Sequence, residues 1–439
     1  MLYCKRVVAE ASPDGGPDCP AFPDAGKREK AHGESHGHHS SRPCGRGNGI
    51  ESVTAVAFVS TYPPRRCGIA TFTRDLAGAV GDREVVAIHR PGDRILYPLE
   101  VTGLVQVDDR SDYLRAADQV SASGVSVVSI QHEYGIFGGQ DGEFIIDLVD
   151  RVRVPVVATL HTVLRRPTAT QRAVMTRLLD MSAAAVVMSE AAAKLLRDGY
   201  GAEASRLRVI PHGVPDLPLA DSRLHKPDFG LEGRSVILSF GLLGPGKGYE
   251  HVIEAMVSVR RDRPDALYVV LGATHPNLIR TEGEAYRDRL RREVNDLGLR
   301  EHVLFVNRFV GQEELGRWLQ AADVFVTPYP NLDQMVSGTL SYALAAGRPV
   351  VSTPFAYASE VLSDGRGIIV EPDSREALAE ALVGLLRDGV SRREIGRRAY
   401  AFSRRMIWRE VGAVYRELFA AVAMRAEVPV EVPALAANA

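Results

Sequence analysis

The chain has 439 residues, 45% hydrophobic and 25% charged, with a formal net charge of -2. That length exceeds one ordinary core and sets two domains as the expectation, while the near-zero charge excludes the broad basic footprint of a nucleic-acid-binding protein. No apolar run approaches the roughly 20 residues of a membrane span, and Cys4, Cys19, Cys44 and Cys67 are too few for a disulfide scaffold, which fits a reducing cytoplasm.

Residues 1–48 are rich in Gly, Pro, Ser and His and poor in large apolar side chains, so they are expected to be disordered. His32, His36, His38 and His39 with Cys44 offer metal-ligand types, but a solvated tail is the simpler reading. From residue 49, short β-branched runs alternate with amphipathic helical patterns. "TAVAFVS" (54–60) is the first strand, "TYPPRRCG" a loop and "IATFTRDLAGAV" a helix. "EVVAI", "VSVVSIQ", "VPVVATLH", "SAAAVVMS" and "RLRVIPHG" continue the half. Continuous apolar strands separated by helices imply a parallel sheet covered on both faces.

A polar stretch over 216–232 reads as a linker, after which the pattern restarts. "SVILSFG", "ALYVVLG", "HVLFVNRF", "DVFVTPY", "RPVVST" and "GIIVEP" are strands, with helices at "YEHVIEAMVSVRRD" and "YRDRLRREVNDLGL". The expected architecture is therefore α/β, with two Rossmann-like doubly wound domains over 49–215 and 233–405 and a cleft between them. A final helix over 406–425 carries an apolar face of Val411, Val414, Tyr415, Leu418, Phe419 and Val422, and a loose tail follows from 426.

The candidate site residues lie where strands end. Gly68 opens a helix after the first strand, next to Arg65 and Arg66, which suits an anion at a helix N-terminus. "SIQHEYGIFGG" ends a strand with His132 and Glu133, and "ATLHT" ends another with His161. In the second half, "GLLGPGKGYEHVIEA" places Lys247 in a glycine-rich loop without the spacing of a P-loop, so an ATPase reading is set aside. His275 lies in "LGATHPN", and Arg308 in "FVNRFV", another strand exit where backbone groups can meet a base. Ser337, Gly338 and Thr339 put free N–H groups and two hydroxyls at a helix start, the composition of an anion-binding nest. Ser337 alone also reads as an N-cap.

Taken together, "GLLGPGKGYEHVIEA", "VIPHGV", "ADVFVTPY" and "SYALAAGRPVVSTPFAYASEVL" resemble the GT-B glycosyltransferases, family 4 of the retaining sugar-nucleotide-dependent transferases in particular. "STYPPRRCGIATFTRDL" and "ATLHT" look like that family's first glycine loop and site histidine. The resemblance spans about residues 53–425. It implies acceptor binding mainly in the first domain, donor binding mainly in the second, and a C-terminal helix crossing back onto the first. It also implies retention of configuration with neither a cofactor nor an obligatory metal. Two departures stand out: the family's paired glutamates are replaced by Gln334 and Tyr342, and its arginine ahead of the loop lysine by Leu242. His161, His132 and Glu133 are thus the catalytic candidates. Gly68, Lys247, His275, Arg308, Gln334, Ser337, Gly338, Thr339 and Tyr342 are the donor-binding candidates.

The function expected is hexosyl transfer, mannose or glucose, from a GDP- or UDP-sugar to a saccharide or lipid-linked acceptor. The protein would be cytoplasmic, and a lipid-linked acceptor would bring peripheral membrane contact. The alternatives are another sugar-nucleotide enzyme on the same fold, an epimerase or phosphorylase, and a non-catalytic sugar-nucleotide binder.

Overall fold

The structure, a computed structural model, describes residues 54–427. The segment expected to be disordered (1–48), with its histidines, and the tail from 428 onward lie outside the described residues.

Two parallel sheets organise the chain. The first holds β1 (Val56–Ser60), β2 (Arg83–His89), β3 (Val101–Gln106), β4 (Val127–His132), β5 (Val156–Leu160), β6 (Ala184–Val187) and β7 (Leu207–Val209), in the order β3-β2-β1-β4-β5-β6-β7. The second holds β8 (Ser235–Phe240), β9 (Ala266–Leu271), β10 (Val303–Val306), β11 (Val324–Thr327), β12 (Val350–Ser352) and β13 (Gly367–Ile369), in the order β10-β9-β8-β11-β12-β13. Both faces of each sheet are covered, which is why the central strands read as unbroken apolar runs. Along β8, for example, Val236 and Leu238 enter one core while Ile237 enters the other. β3 differs: it is an edge strand with alternating burial, and Leu104 on it is half exposed.

The strand order reverses between β1 and β4 and again between β8 and β11. Loops at the carboxyl ends of those four strands splay apart there and leave room for ligands.

The helix Trp408–Glu427 returns to the first sheet and packs along the helix Gly68–Val80. Val411, Tyr415, Leu418, Phe419 and Val422 are buried there; the Phe58 and Phe419 rings meet edge to face at 6.2 Å, and the Tyr415 and Thr159 hydroxyls are 3.0 Å apart. Val414, expected on this face, is instead 45% exposed. The buried stripe runs 411–415–418–419–422, and residue 414 falls beyond its edge. The approach is close enough to need glycine at 412, where a Cβ would come 2.6 Å from that of Ala79. The two chain crossings between the sheets run side by side: Val214 N–H donates to Met406 C=O, and Trp408 N–H to Val214 C=O.

Residues 216–232, read as a linker, are packed against the second lobe. Phe229 stacks on Trp318 with ring centroids 3.7 Å apart, Leu231 is buried, and Lys226 pairs with buried Asp323 at 2.7 Å. A buried ion pair needs such mutual satisfaction, since either charge alone would be costly.

Candidate functional site

The loops at the two switch points face each other across a cleft of about 930 Å³. Its walls include Arg65, Gly68 and Glu133 from the first lobe and Leu242, His275 and Arg280 from the second. Domain contacts flank the cleft: Arg165 pairs with Asp333 at 2.9 Å, Glu360 accepts the N–H groups of Glu190 and Ala191, and Gln312 donates to Asp75 at 3.0 Å.

On the second lobe, β8 and β9 end in glycines whose backbones nearly touch. Gly272 has φ +146°, and a Cβ on it would lie 1.9 Å from the carbonyl oxygen of Gly241. The loop after β8 then turns through Gly248 (φ +69°), where a Cβ would strike the Pro328 carbonyl at 2.0 Å. These glycines hold the loop against the end of β11 and set Lys247 in place. Its Nζ lies 4.2 Å from the centre of the Tyr329 ring. The Tyr329 hydroxyl is in turn 2.8 Å from Thr339 Oγ1. Tyr329 thus joins the lysine to the start of the helix Gly338–Ala345. Ser337 caps that helix, accepting from Leu340 N–H at 3.4 Å. Among the described residues, the N–H groups of Gly338 and Thr339 donate to no protein acceptor. The site therefore has one ammonium and two free amide donors around one tyrosine, an arrangement that attracts an anion. His275 lies close enough to feel the charge of Lys247; burial, then Arg90, Lys247 and Arg280, hold its imidazole below the usual range.

On the first lobe, a Cβ at Gly68 would meet nothing within 4 Å, so a ligand can approach the amides there. Glu133 lines the cleft and accepts from the Thr162 hydroxyl at 2.5 Å; burial raises its pKa. His161 ends β5, with its Nε2 3.0 Å from Gln131 Oε1. Gln131 is fixed by its own amide donating to Ser129, so the shared proton belongs on His161 Nε2. Burial, then the neighbouring His212 and His132, push the His161 pKa down to about 3, and the ring is neutral at neutral pH.

His212 received no role from the sequence, although it closes the strand motif "VIPHGV" at the first crossing between lobes. Its Nδ1 lies 2.7 Å from Gly213 C=O, which leaves Nε2 as an acceptor. That nitrogen faces Gly338, where a Cβ would come within 2.8 Å of it. The Phe72 ring stands edge-on to both His161 (4.7 Å) and His212 (5.1 Å). A line of contacts therefore runs from the catalytic candidate on β5 to the anion nest of the other lobe. Only a fold could reveal it, because the three segments are far apart in sequence.

The structure does not bring every candidate to this place. His132 is fully buried, stacked on Phe137 and edge-on to Tyr134, and neither ring nitrogen has a partner; it lines no cleft. Arg308 points to solvent in a bidentate pair with Glu314 six residues on, and its neighbour Phe309 reaches the cleft instead. The helix begins at Gly338, so Gln334 lies outside it and does not share a helical face with Tyr342. The Gln334 amide donates to Val336 C=O at 2.8 Å. Tyr342 is 8% exposed and packs between Phe240 and His212.

Comparison with known proteins agrees with this architecture. The family model "Glycosyltransferase Family 4" matches residues 67–216, and "Glycosyl transferases group 1" matches residues 221–402. Among solved structures, Anabaena HepE in complex with UDP and glucose superposes with a TM-score of 0.69 at 16% identity, covering 84% of this chain and 100% of that one. Sucrose-phosphate synthase from Thermosynechococcus elongatus gives 0.67 at 20% identity, again covering 84% and 100%. These likenesses define the GT-B fold. The chain belongs to the GT-B glycosyltransferases of the family 4 and group 1 kind. Among curated relatives, a D-inositol 3-phosphate glycosyltransferase of Paenarthrobacter aurescens is 28% identical over 62% of this chain and 69% of its own. A GDP-mannose-dependent alpha-(1-6)-phosphatidylinositol monomannoside mannosyltransferase of Mycolicibacterium smegmatis is 33% identical over 42% of this chain, which spans 47% of that relative's length.

Proposed function

We propose that this glycosyltransferase is retaining and moves a hexose, mannose or glucose, from a nucleotide sugar to a saccharide or lipid-linked acceptor without a metal ion. The observation that carries the reading is the grouping of Lys247 and the free Gly338 and Thr339 amides around Tyr329, next to the cleft-lining His275, which feels the Lys247 charge. A diphosphate seated there leaves with its growing negative charge already met by fixed donors. The bond from the anomeric carbon to the diphosphate oxygen breaks, and the bond to the acceptor oxygen forms on the same face. The departing oxygen takes the acceptor's proton. His161, neutral and held by Gln131, is suited to hydrogen-bonding the donor sugar rather than to carrying charge. Glu133 lines the cleft from the first lobe, the lobe this proposal gives to the acceptor.

A GDP-mannose donor is suggested by the Mycolicibacterium relative and a UDP-sugar by the Anabaena structure. Among the described residues, no helix is long and apolar enough to cross a membrane. The proposed place of action is the cytoplasm. The test is release of nucleoside diphosphate from GDP-mannose, UDP-glucose and related donors, with and without acceptor and with and without chelator. Release that needs acceptor and ignores chelator supports the reading. Release without acceptor points to other chemistry on the fold. Donor binding with no release for any acceptor points to a non-catalytic binder, which the inward commitment of the Gln334 amide favours.

A further inference from the structure

The cleft holds more positive charge than a diphosphate at the Lys247 end uses. Arg65 and Arg66 come from the loop after β1, Arg90 follows β2, and Arg280 rises from the facing helix Pro276–Glu282 of the second lobe. Among the described residues, none of the four is in an ion pair. Arg65 reaches only the Ile88 carbonyl, at 3.4 Å, and Arg280 only the Asn277 side chain, at 2.6 Å. Three carboxylates also line the cleft, but two are engaged. Glu133 accepts from Thr162, and Glu284 accepts from Thr274 and from Arg287 outside the cleft. Asp93 in the cleft and Asp108 near Arg90 are the carboxylates left to offset four guanidiniums.

Like charges gathered without partners are unfavourable unless something anionic joins them. The strain registers at Arg90, whose hold on its proton is weakened first by burial and then by the neighbouring Arg65 and Arg280. Guanidinium groups are also the side chains best matched to phosphate, which they grip through two parallel N–H bonds. Arg65, Arg66 and Arg90 lie on first-lobe loops, the side given above to the acceptor, and Arg280 faces them from the second lobe, whereas the diphosphate nest is built from Lys247 and the Gly338–Thr339 amides.

We infer that the acceptor carries a phosphate, and that Arg65, Arg66, Arg90 and Arg280 form its subsite. This rests on the proposed transferase reading, because it takes the remaining half of the cleft to be the acceptor's. The phosphate belongs either to a soluble sugar or polyol monophosphate or to a phospholipid headgroup. Either source presents the same anionic oxygens to the guanidiniums.

The experiment uses the full chain saturated with nucleoside diphosphate. Binding is measured by calorimetry for hexose 6-phosphates, inositol monophosphates and the same compounds without phosphate. Cosedimentation with phosphatidylinositol vesicles and with phosphatidylcholine vesicles forms the lipid arm. At least tenfold tighter binding of a phosphorylated ligand in either arm is expected, and the arm that responds identifies the source. Arg90→Gln should lower that affinity about tenfold or more, the worth of a charge-assisted hydrogen bond. Arg66→Gln, at an exposed position where folding is not at stake, should do the same. Both variants should bind nucleoside diphosphate within about twofold of the wild type. Equal binding of neutral and phosphorylated ligands overturns the inference, as does loss of nucleoside diphosphate affinity in the arginine variants, which would give these residues to the donor. Wild-type chain that binds no nucleoside diphosphate instead refutes the proposed function; phosphorylated ligands titrated without nucleotide then test the subsite separately.

Discussion

His212 and Gly338 meet at the seam between the two lobes: Nε2 of the histidine lies where a Cβ on residue 338 would come within 2.8 Å. The ring cannot easily yield, because its Nδ1 is tied to Gly213 C=O at 2.7 Å and its edge rests against Phe72. Gly338→Ala should therefore push the helix start away from Lys247, at an overpacking cost of about 1–3 kcal/mol. Nucleoside diphosphate affinity is expected to fall about tenfold in a calorimetric titration. His212→Ala in the same chain should return part of it, and purely additive losses in that double-mutant cycle would show that the two residues do not press on one another.

Lys247→Ala removes the one side-chain ammonium of the nest. A hydrogen bond to a charged group is worth about 1.5–3 kcal/mol, so nucleoside diphosphate should bind roughly ten- to over a hundredfold more weakly. The nucleoside alone should bind as before. A matching loss for nucleoside would mean that the loop had come away from Tyr329, not that a phosphate contact was lost.

Three buried histidines make stability depend on pH. Burial holds His132 and His212 at about 4 and His161 at about 3, against about 6.5 when the chain is unfolded. The unfolded chain takes up protons first as pH falls, so the stability these groups contribute is present above about pH 6.5 and is lost below it. At pH 5 each contributes a loss of about 2 kcal/mol relative to pH 8. The melting temperature should drop across that window. His132→Phe, which removes two unpartnered buried nitrogens while keeping the stack on Phe137, should flatten the drop by one histidine's share. An unchanged slope would show that His132 is not the buried neutral group described.

The returning helix is held by apolar contact. Phe419 is fully buried between Phe58 and Tyr415, and Phe419→Ala should cost about 3–5 kcal/mol. Val414→Ala, on the same helix and 45% exposed, should cost well under 1 kcal/mol. Denaturant unfolding checks both, and similar costs for the two would mean that the helix buries another face.

The central strands, the doubly wound order and the glycine turns could be read from the chain because each is a local pattern: an apolar run, a cap, a loop between periodic segments. β3 escaped because an edge strand buries only every second residue, and "VTGLVQ" therefore lacks the continuous run of its neighbours. Arg308 looked available at a strand exit, yet Glu314 on the following helix neutralises it, and only the turn between them decides that. His212 has the opposite history. It lies in "VIPHGV", a stretch that carries the resemblance, yet no role follows from that stretch alone: its meaning comes from Phe72, His161 and Gly338, which three separate segments deliver. Gln334 and Tyr342, read as departures from the resemblance, were expected on one helical face, but the helix start at Gly338 separates them, and their side chains turn to Val336 and to Phe240 and His212.

The most direct measurement follows an isotope-labelled sugar from its nucleotide donor into the acceptor, with the anomeric configuration of the product read by NMR. One nucleoside diphosphate should be released per sugar transferred, with the donor's anomeric configuration kept and a rate that collapses in Lys247→Ala. Label that appears only in free sugar, or in product of inverted configuration, would contradict retaining transfer.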